Sequence, residues 1–327
     1  MKSTMRFITV TPAGRRRYLE VLTEYLLRNR HEIDEHHWWV NTRNPDDLAY
    51  LHGLIDEHPD FFKLVAKPID HTARIGWQIW HYMSDCVEPD TVYLRLDDDI
   101  CYVADDAIPR MRDHRLENPE PFLVLGSIVN NAICSHAYQR AGVIPRSWGE
   151  VHPDCLDPVG WGSGAFAKRL HELFLSDLES GREERWMNQD MSFDGVRRFS
   201  VNAICWRGED MAPVAERGHN QIDEEEWLTQ VLPARYGRPS QVCPGALFGH
   251  YAFYSQRKRL DLTAPELLDR YRRLAMREAP AGLVDGARIA SQRAYGKTVW
   301  GVRAGIHAAK HGAKRLLGQD DSSNKAA

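Results

Sequence analysis

Nothing in this 327-residue chain approaches the roughly 20 consecutive apolar residues that a membrane-spanning helix needs. Its start, Met1-Lys-Ser-Thr-Met-Arg6, lacks the apolar region of a secretory signal and leads straight into a short strand. The six cysteines, Cys86, Cys101, Cys134, Cys155, Cys205 and Cys243, are scattered and contain no Cys-x-x-Cys. That excludes the usual zinc and dithiol spacings and fits a reducing compartment. A basic excess is missing too. With 42 Lys+Arg against 46 Asp+Glu the formal net charge is −4, which leaves no global footprint for nucleic acid. The expected location is cytoplasmic.

What is present is an ordinary globular composition, 43% hydrophobic and 27% charged, on a chain long enough for one large domain or two small ones. The charge is uneven. From Glu266 onward basic residues outnumber acidic ones, and the preceding body is acidic. A basic tail on an acidic body suits an anionic partner, such as the inner face of a membrane. Within the tail, Val299, Val302, Ile306, Ala313 and Leu317 form an apolar stripe near Lys310, Lys314 and Arg315, which suits docking on the body or lying on such a surface.

Short apolar runs alternate with helical periodicity. Phe7–Val10, Trp38–Val40, Phe61–Val65 and Val92–Leu96 read as strands. Between them, Leu19, Leu22 and Leu26, then Leu48, Leu51 and Ile55, then Ile75, Ile79 and Met83 mark helix faces, the last over about 72–84. Strands alternating with helices imply a mainly parallel sheet covered on both faces. Pro121–Leu125 and Val201–Trp206 are later strands, and Ala246–Tyr254 is the last. From Asn130 to Trp161 the periodicity fades into a long irregular stretch, and such loops are usually functional. His31, His36 and His37 lie among acids and read as a solvated edge.

Asp97-Asp-Asp99 closes the fourth strand. Three like charges there cost stability unless something positive neutralises them, and strand C-termini are where α/β sheets place ligands. A hard divalent cation carrying a phosphate-bearing ligand answers both points, and a solvated acidic turn is the plainer reading. Further on, Gly160-Trp-Gly-Ser-Gly164 leads into a helix through Phe166, Leu170 and Phe174. Asn188-Gln-Asp190 lies where another short helix opens, and His250 lies in the last strand.

Taken in this order, the motifs make the chain resemble the GT-A fold, DxD-type, family 2-like glycosyltransferases that use nucleotide-sugars. The resemblance spans about Phe7 to Tyr254. It implies an α/β, Rossmann-like GT-A fold over residues 1–260, with a nucleotide-binding half (1–130) and an acceptor or catalytic half (131–260). A C-terminal helical extension (261–317) and a disordered tail (318–327) would follow. By the resemblance Asp99 ligates a divalent metal, Mn2+ or Mg2+. Asp97 would reach the ribose or a metal-bound water, Asp98 would share the work, and His250 would add a last ligand. Thr11, Arg15, Arg74 and Arg95 would meet the nucleotide-sugar. Trp161, Gly162 and Gly164 would lie beside donor sugar and acceptor. Asp190 would be the general base of an inverting transfer, with Gln189 replacing the family's usual Glu, and Glu209-Asp210 is its rival. The implied activity moves a sugar from a nucleoside-diphosphate sugar to a hydroxyl of a glycan or lipid-linked acceptor. Two alternatives stand beside it: a glycosyltransferase-like scaffold without catalysis, and a sugar nucleotidyltransferase, for which Pro12-Ala-Gly-Arg-Arg-Arg17 has the charge but one glycine.

Overall fold

The apolar runs become strands of one sheet. In the computed structural model, residues 5–68, 79–193, 195–211 and 223–277 are described. Arg74, most of the helix expected over 72–84, and the tail beyond Arg277 lie outside them. The first part runs β1 (Arg6–Ala13), α1 (Arg16–Arg28), β2 (Glu35–Val40), α2 (Pro45–Glu57), β3 (Phe62–Val65), α3 (Trp80–Met83), β4 (Thr91–Leu96) and β5 (Ile100–Val103). Next come α4 (Ala107–Glu117), β6 (Val124–Val129), α5 (Ala132–Arg140), α6 (Gly164–Glu179), α7 (Glu184–Met187) and β7 (Ala203–Arg207). Finally α8 (Glu224–Glu226) passes through a π-helical turn (Trp227–Val231) into α9 (Leu232–Tyr236). The described chain then closes with β8 (Gln241–His250), α10 (Tyr254–Thr263) and α11 (Glu266–Met276).

The strand order is β3-β2-β1-β4-β7-β6-β8-β5. β3, β2, β1 and β4 are mutually parallel, as the strand–helix alternation implies. β7 runs antiparallel to both β4 and β6, β8 is parallel to β6, and β5 pairs antiparallel with β8. The fold is therefore α/β with a Rossmann-like, mixed eight-stranded sheet. Because two antiparallel steps restore direction, β1, β4, β6 and β8 all end at one edge. The expected halves on either side of residue 130 share this sheet, and the 260/261 boundary falls inside α10.

Local chemistry accounts for the helices. Asn44 accepts from Asp46 N (3.0 Å) with Pro45 behind it, which starts α2. Ser163 accepts from Phe166 N (3.2 Å) at the start of α6, whose Phe166, Leu170 and Phe174 are buried as expected. The stretch after Asn130 is not irregular throughout. Asn131 Oδ1 accepts from Ile133 N and Cys134 N, opening α5. Its periodicity is hidden because polar Ser135 and Gln139 are buried with its apolar residues. His36 is another correction. It is fully buried in β2, Nδ1 2.8 Å from Thr9 Oγ1, because β2 lies between β1 and β3 rather than at an edge. The last strand begins and ends earlier than expected, so Tyr254 opens α10. The six cysteines are free and buried. Among the described residues no helix is long and apolar enough to cross a membrane.

Candidate active site

The edge where β1, β4, β6 and β8 end collects most of the chemistry-bearing residues. Register dictates who meets whom. Leu96 pairs with Ala203, so Asp97 comes opposite Asn202: Asp97 N donates to Asn202 O (2.8 Å), and Asn202 Nδ2 donates to Asp97 Oδ2 (3.1 Å). Ile100 pairs with His250, so Asp99 comes beside the end of β8, and Tyr251 N donates to Asp99 O (2.8 Å). His250 Nε2 lies 3.4 Å from Asp99 Oδ1, both side chains nearly fully buried. Val129 pairs with Gly249, which puts Asn130 O within 3.1 Å of His250 Nδ1.

Cations close on the three carboxylates from several elements. Arg15, just before α1, grips Asp98 through two nitrogens and reaches Asp99 Oδ2 at 3.1 Å. Arg257 in α10 comes within 3.6 Å of the same Asp99 oxygen. Arg95, buried in β4, lies between Asp97 (3.1 Å) and Glu224 of α8. Burial opposes ionisation of Asp99, but Arg15, His250 and Arg257 outweigh it and hold its carboxyl well below the usual range. Burial likewise works against imidazolium at His250, and nearby Asp99 reverses it, so that pKa is raised. For Asp98, burial wins and its carboxyl is pushed up.

A polar frame holds this edge. Asn130 has a positive φ of 66°, a left-handed conformation that asparagine tolerates better than most residues. Its Nδ2 donates to Tyr251 O (3.0 Å) and Gln256 Oε1 (2.9 Å), and Gln256 Nε2 donates to Gly160 O (2.9 Å). The glycine loop is thereby tied to the end of β8. Asp157 shapes it from inside, accepting from Val159 N (2.9 Å), Gly160 N (2.6 Å) and His152 N (3.1 Å). A Cβ on Gly162 would sit 2.7 Å from Pro158 O, and one on Gly164 would sit 2.8 Å from Arg259 Cβ. These glycines serve tight packing. Trp161 packs on Phe253 (6.2 Å between ring centroids), and Phe253 packs on His250 (4.5 Å).

Of the residues singled out in the sequence, Arg15, Arg95, Asp97, Asp98, Asp99 and His250 therefore meet in one cluster, with Trp161, Gly162 and Gly164 beside it. Thr11 sits at the end of β1 with its hydroxyl buried and without a hydrogen-bond partner. Arg74 is outside the described residues. Asp190 does not join them. It follows α7 rather than opening a helix, is exposed, and pairs with Arg140 (2.9 Å) at the end of α5 opposite Asn131, about 13 Å along that helix. The Ser192 amide and side chain hold its pKa down. Glu209 and Asp210 lie past Arg207, which pairs with Val92 at the far end of β4, and they bond Arg207 and Arg238. Trp206 is core, stacked on Tyr93.

Sequence reasoning missed Asn130, Asn202, Arg257 and the acids of α8. The run Asp223-Glu-Glu-Glu226 was a visible signal. Asp223 caps α8, accepting from Glu226 N (2.9 Å), and this sets Glu224 against Arg95. Glu225 is held by the Cys155 thiol and Arg198, and burial pushes its carboxyl up.

Whether these residues fit a divalent cation can be judged from the donors. Among the described residues no three His, Cys, Asp or Glu side chains converge on one point. Asp99 and His250 do converge as a pair, and Asp97 is turned to Arg95 and Asn202. Magnesium-like cations are commonly held by one or two carboxylates, with substrate phosphates completing the shell. Asp99 supplies one such carboxylate, and His250 beside it would add one nitrogen to a cation that accepts imidazole among oxygens, such as Mn2+.

No protein-family model matches the chain, and no curated protein matches it in sequence. Solved structures that superimpose on it include a 4-diphosphocytidyl-2C-methyl-D-erythritol synthase from Anaerococcus prevotii, with 9% identity, a TM-score of 0.42, and coverage of 83% of this chain and 96% of that one. A CMP:2-keto-3-deoxy-manno-octonic acid synthetase complexed with CTP shows 11% identity, a TM-score of 0.42 and coverage of 83% and 99%. A galactosyltransferase in complex with donor and acceptor sugar analogues shows 13% identity, a TM-score of 0.40 and coverage of 85% and 98%. Superpositions this loose decide nothing about the chemistry of this chain, which rests on its own residues.

Proposed function

We propose that the protein is a glycosyltransferase that binds a nucleoside-diphosphate sugar at the strand-end cluster and passes the sugar to an acceptor hydroxyl. The observation that carries this reading is the convergence of Asp97–Asp99, His250 and three arginines at the C-terminal edge of a Rossmann-like sheet, beside the Gly160–Gly164 loop. That edge is where such sheets bind ligands. The unpartnered Thr11 hydroxyl gives the nucleoside end a polar contact. Arg15 and Arg257 give the diphosphate guanidinium donors, which match phosphate geometry. A divalent cation on Asp99 and His250, Mn2+ or Mg2+, would neutralise the charge that builds on the leaving diphosphate.

In an inverting transfer the acceptor oxygen bonds to the anomeric carbon as the bond to the diphosphate breaks, and its proton passes to a carboxylate. Glu225 suits that role better than Asp190. Burial raises its pKa, and its helix abuts the cluster through Glu224 and Arg95, whereas Asp190 is a weak base on the surface. The Trp161–Phe253 edge offers a face for an acceptor glycan.

Nucleotidyl transfer is a second reading, supported by the arginines that follow β1 with Arg15 reaching the cluster. A thermal-shift panel of UDP, GDP, CDP and dTDP, with and without Mn2+, tests the site, since a ligand of the native state raises its stability. One diphosphate should stabilise the protein. Nucleotide-sugar should then be consumed with release of that diphosphate. Pyrophosphate released from nucleoside triphosphate and sugar phosphate would instead favour the second reading, and no shift with any diphosphate would favour a scaffold.

A further inference from the structure

The cluster is almost neutral without help from any ligand. Asp97, Asp98, Asp99 and Glu224 face Arg15, Arg95, Arg257 and the imidazole of His250. The arginines are not equivalent. Arg95 is 4% exposed and pinned between Asp97, just past β4, and Glu224 of α8. Arg15 and Arg257 are 32% and 27% exposed and reach inward from the starts of α1 and α10, so neither is anchored in a strand. Arg257 Nη2 donates to Ala252 O (3.3 Å), but its Nε is buried and makes no hydrogen bond, so this guanidinium is only partly used where it sits. Both occupy Asp99 Oδ2, on the carboxylate whose other oxygen faces His250.

Resting on the reading above, we propose that Arg15 and Arg257 are built-in counter-cations of Asp98 and Asp99 that yield to a cation–diphosphate pair. A divalent cation arriving alone must compete with two guanidiniums and would leave excess positive charge in a buried site. A diphosphate arriving alone would add negative charge beside three carboxylates. Arriving together they nearly cancel, and the displaced guanidiniums pass from carboxylate to phosphate, an exchange of like hydrogen bonds. Cation and diphosphate therefore enter with positive coupling, and each binds poorly without the other.

The test measures Mn2+ uptake from the electron paramagnetic resonance of the free ion, on the full chain and with no nucleotide. Arg257→Gln, which loses the 3.6 Å contact with Asp99 and a 3.3 Å hydrogen bond to Ala252 O, is compared with Arg15→Gln and Asp99→Asn, with the melting of each variant checking that it folds. Mn2+ alone should bind Arg257→Gln and Arg15→Gln about tenfold more tightly than wild type, the scale of one charge-assisted contact, and should not bind Asp99→Asn. In melting experiments with UDP, GDP, CDP or dTDP, wild type should need Mn2+ for its full shift, and both arginine variants should lose part of it. Equal Mn2+ affinity in wild type and Arg257→Gln would overturn the proposal while leaving the site reading intact, provided a diphosphate still shifts the wild type. No shift with any diphosphate would remove the site reading itself, and the coupling with it.

Discussion

Two buried carboxylate sites in this molecule are built in opposite ways. Asp177, at the end of α6, is satisfied by its own neighbourhood. Arg182 donates through Nε (3.0 Å) and Nη2 (2.8 Å), and Arg185 (3.0 Å) and Trp186 Nε1 (3.0 Å) complete the shell. Every partner lies within nine residues along the chain. Asp97–Asp99 instead draws on residues 15, 95, 202, 250 and 257, with Arg15 and Arg257 only partly buried. Burial and ion pairing are common to both, so neither marks function. What separates them is that one site is complete and local, while the other is assembled from distant segments around three consecutive carboxylates.

That contrast can be broken by mutation. Asp99→Asn should cut turnover about a thousandfold or more with far-ultraviolet circular dichroism unchanged. Asp177→Asn should leave activity per folded molecule intact yet lower unfolding free energy by about 3–5 kcal/mol in urea titration, because Arg185 and Trp186 lose a buried partner. If Asp177→Asn abolished activity at full stability, the division would be wrong.

His171 tests the frame between the two sites. Its Nε2–H donates to Tyr251 O (2.7 Å) and its Nδ1 accepts from the Tyr271 hydroxyl (2.8 Å), linking α6, the end of β8 and α11. Burial pushes its pKa down to about 4. In the unfolded chain the ring takes a proton near pH 6.5, so its contribution is whole above that pH and is lost as pH falls toward 4, about 3 kcal/mol in all. Urea unfolding at pH 7 and pH 4.5 should show this loss, and His171→Gln should flatten it.

The smallest effect is expected at Asp190. As an exposed residue paired with Arg140, Asp190→Asn should leave the urea midpoint unchanged and turnover near wild type, while Glu225→Gln lowers turnover. The reverse result would return the proton acceptor to Asp190.

Much of this was legible in the sequence. Runs such as Val92–Leu96 announce strands because both faces of a central strand are buried, and a run of three aspartates at a strand end is conspicuous in any composition. His250 stood out by its order in the chain. Arg257 did not, since an arginine in Ser255-Gln-Arg-Lys-Arg259 looks like a solvated helix face until β8 is seen to end beside Asp99. Asp190 was chosen by motif order, and order along a chain says nothing about which end of α5 a side chain meets. α5 itself was hidden because buried Ser135 and Gln139 interrupt the pattern that marks a helix.

The strand order holds one more consequence. β4 and β5 are consecutive, joined only by Asp97, Asp98 and Asp99, yet three strands separate them in the sheet. On a flat sheet four spacings of about 4.8 Å would put β5 about 19 Å from β4. Four residue steps reach about 14 Å at full stretch, and here the link is a turn, with Ile100 N donating to Asp97 O (3.1 Å). The sheet must therefore curl back on itself until its far edge comes round to its middle. The three aspartates are the short tether that holds this curl, so a residue inserted among them would slacken the whole second half of the sheet.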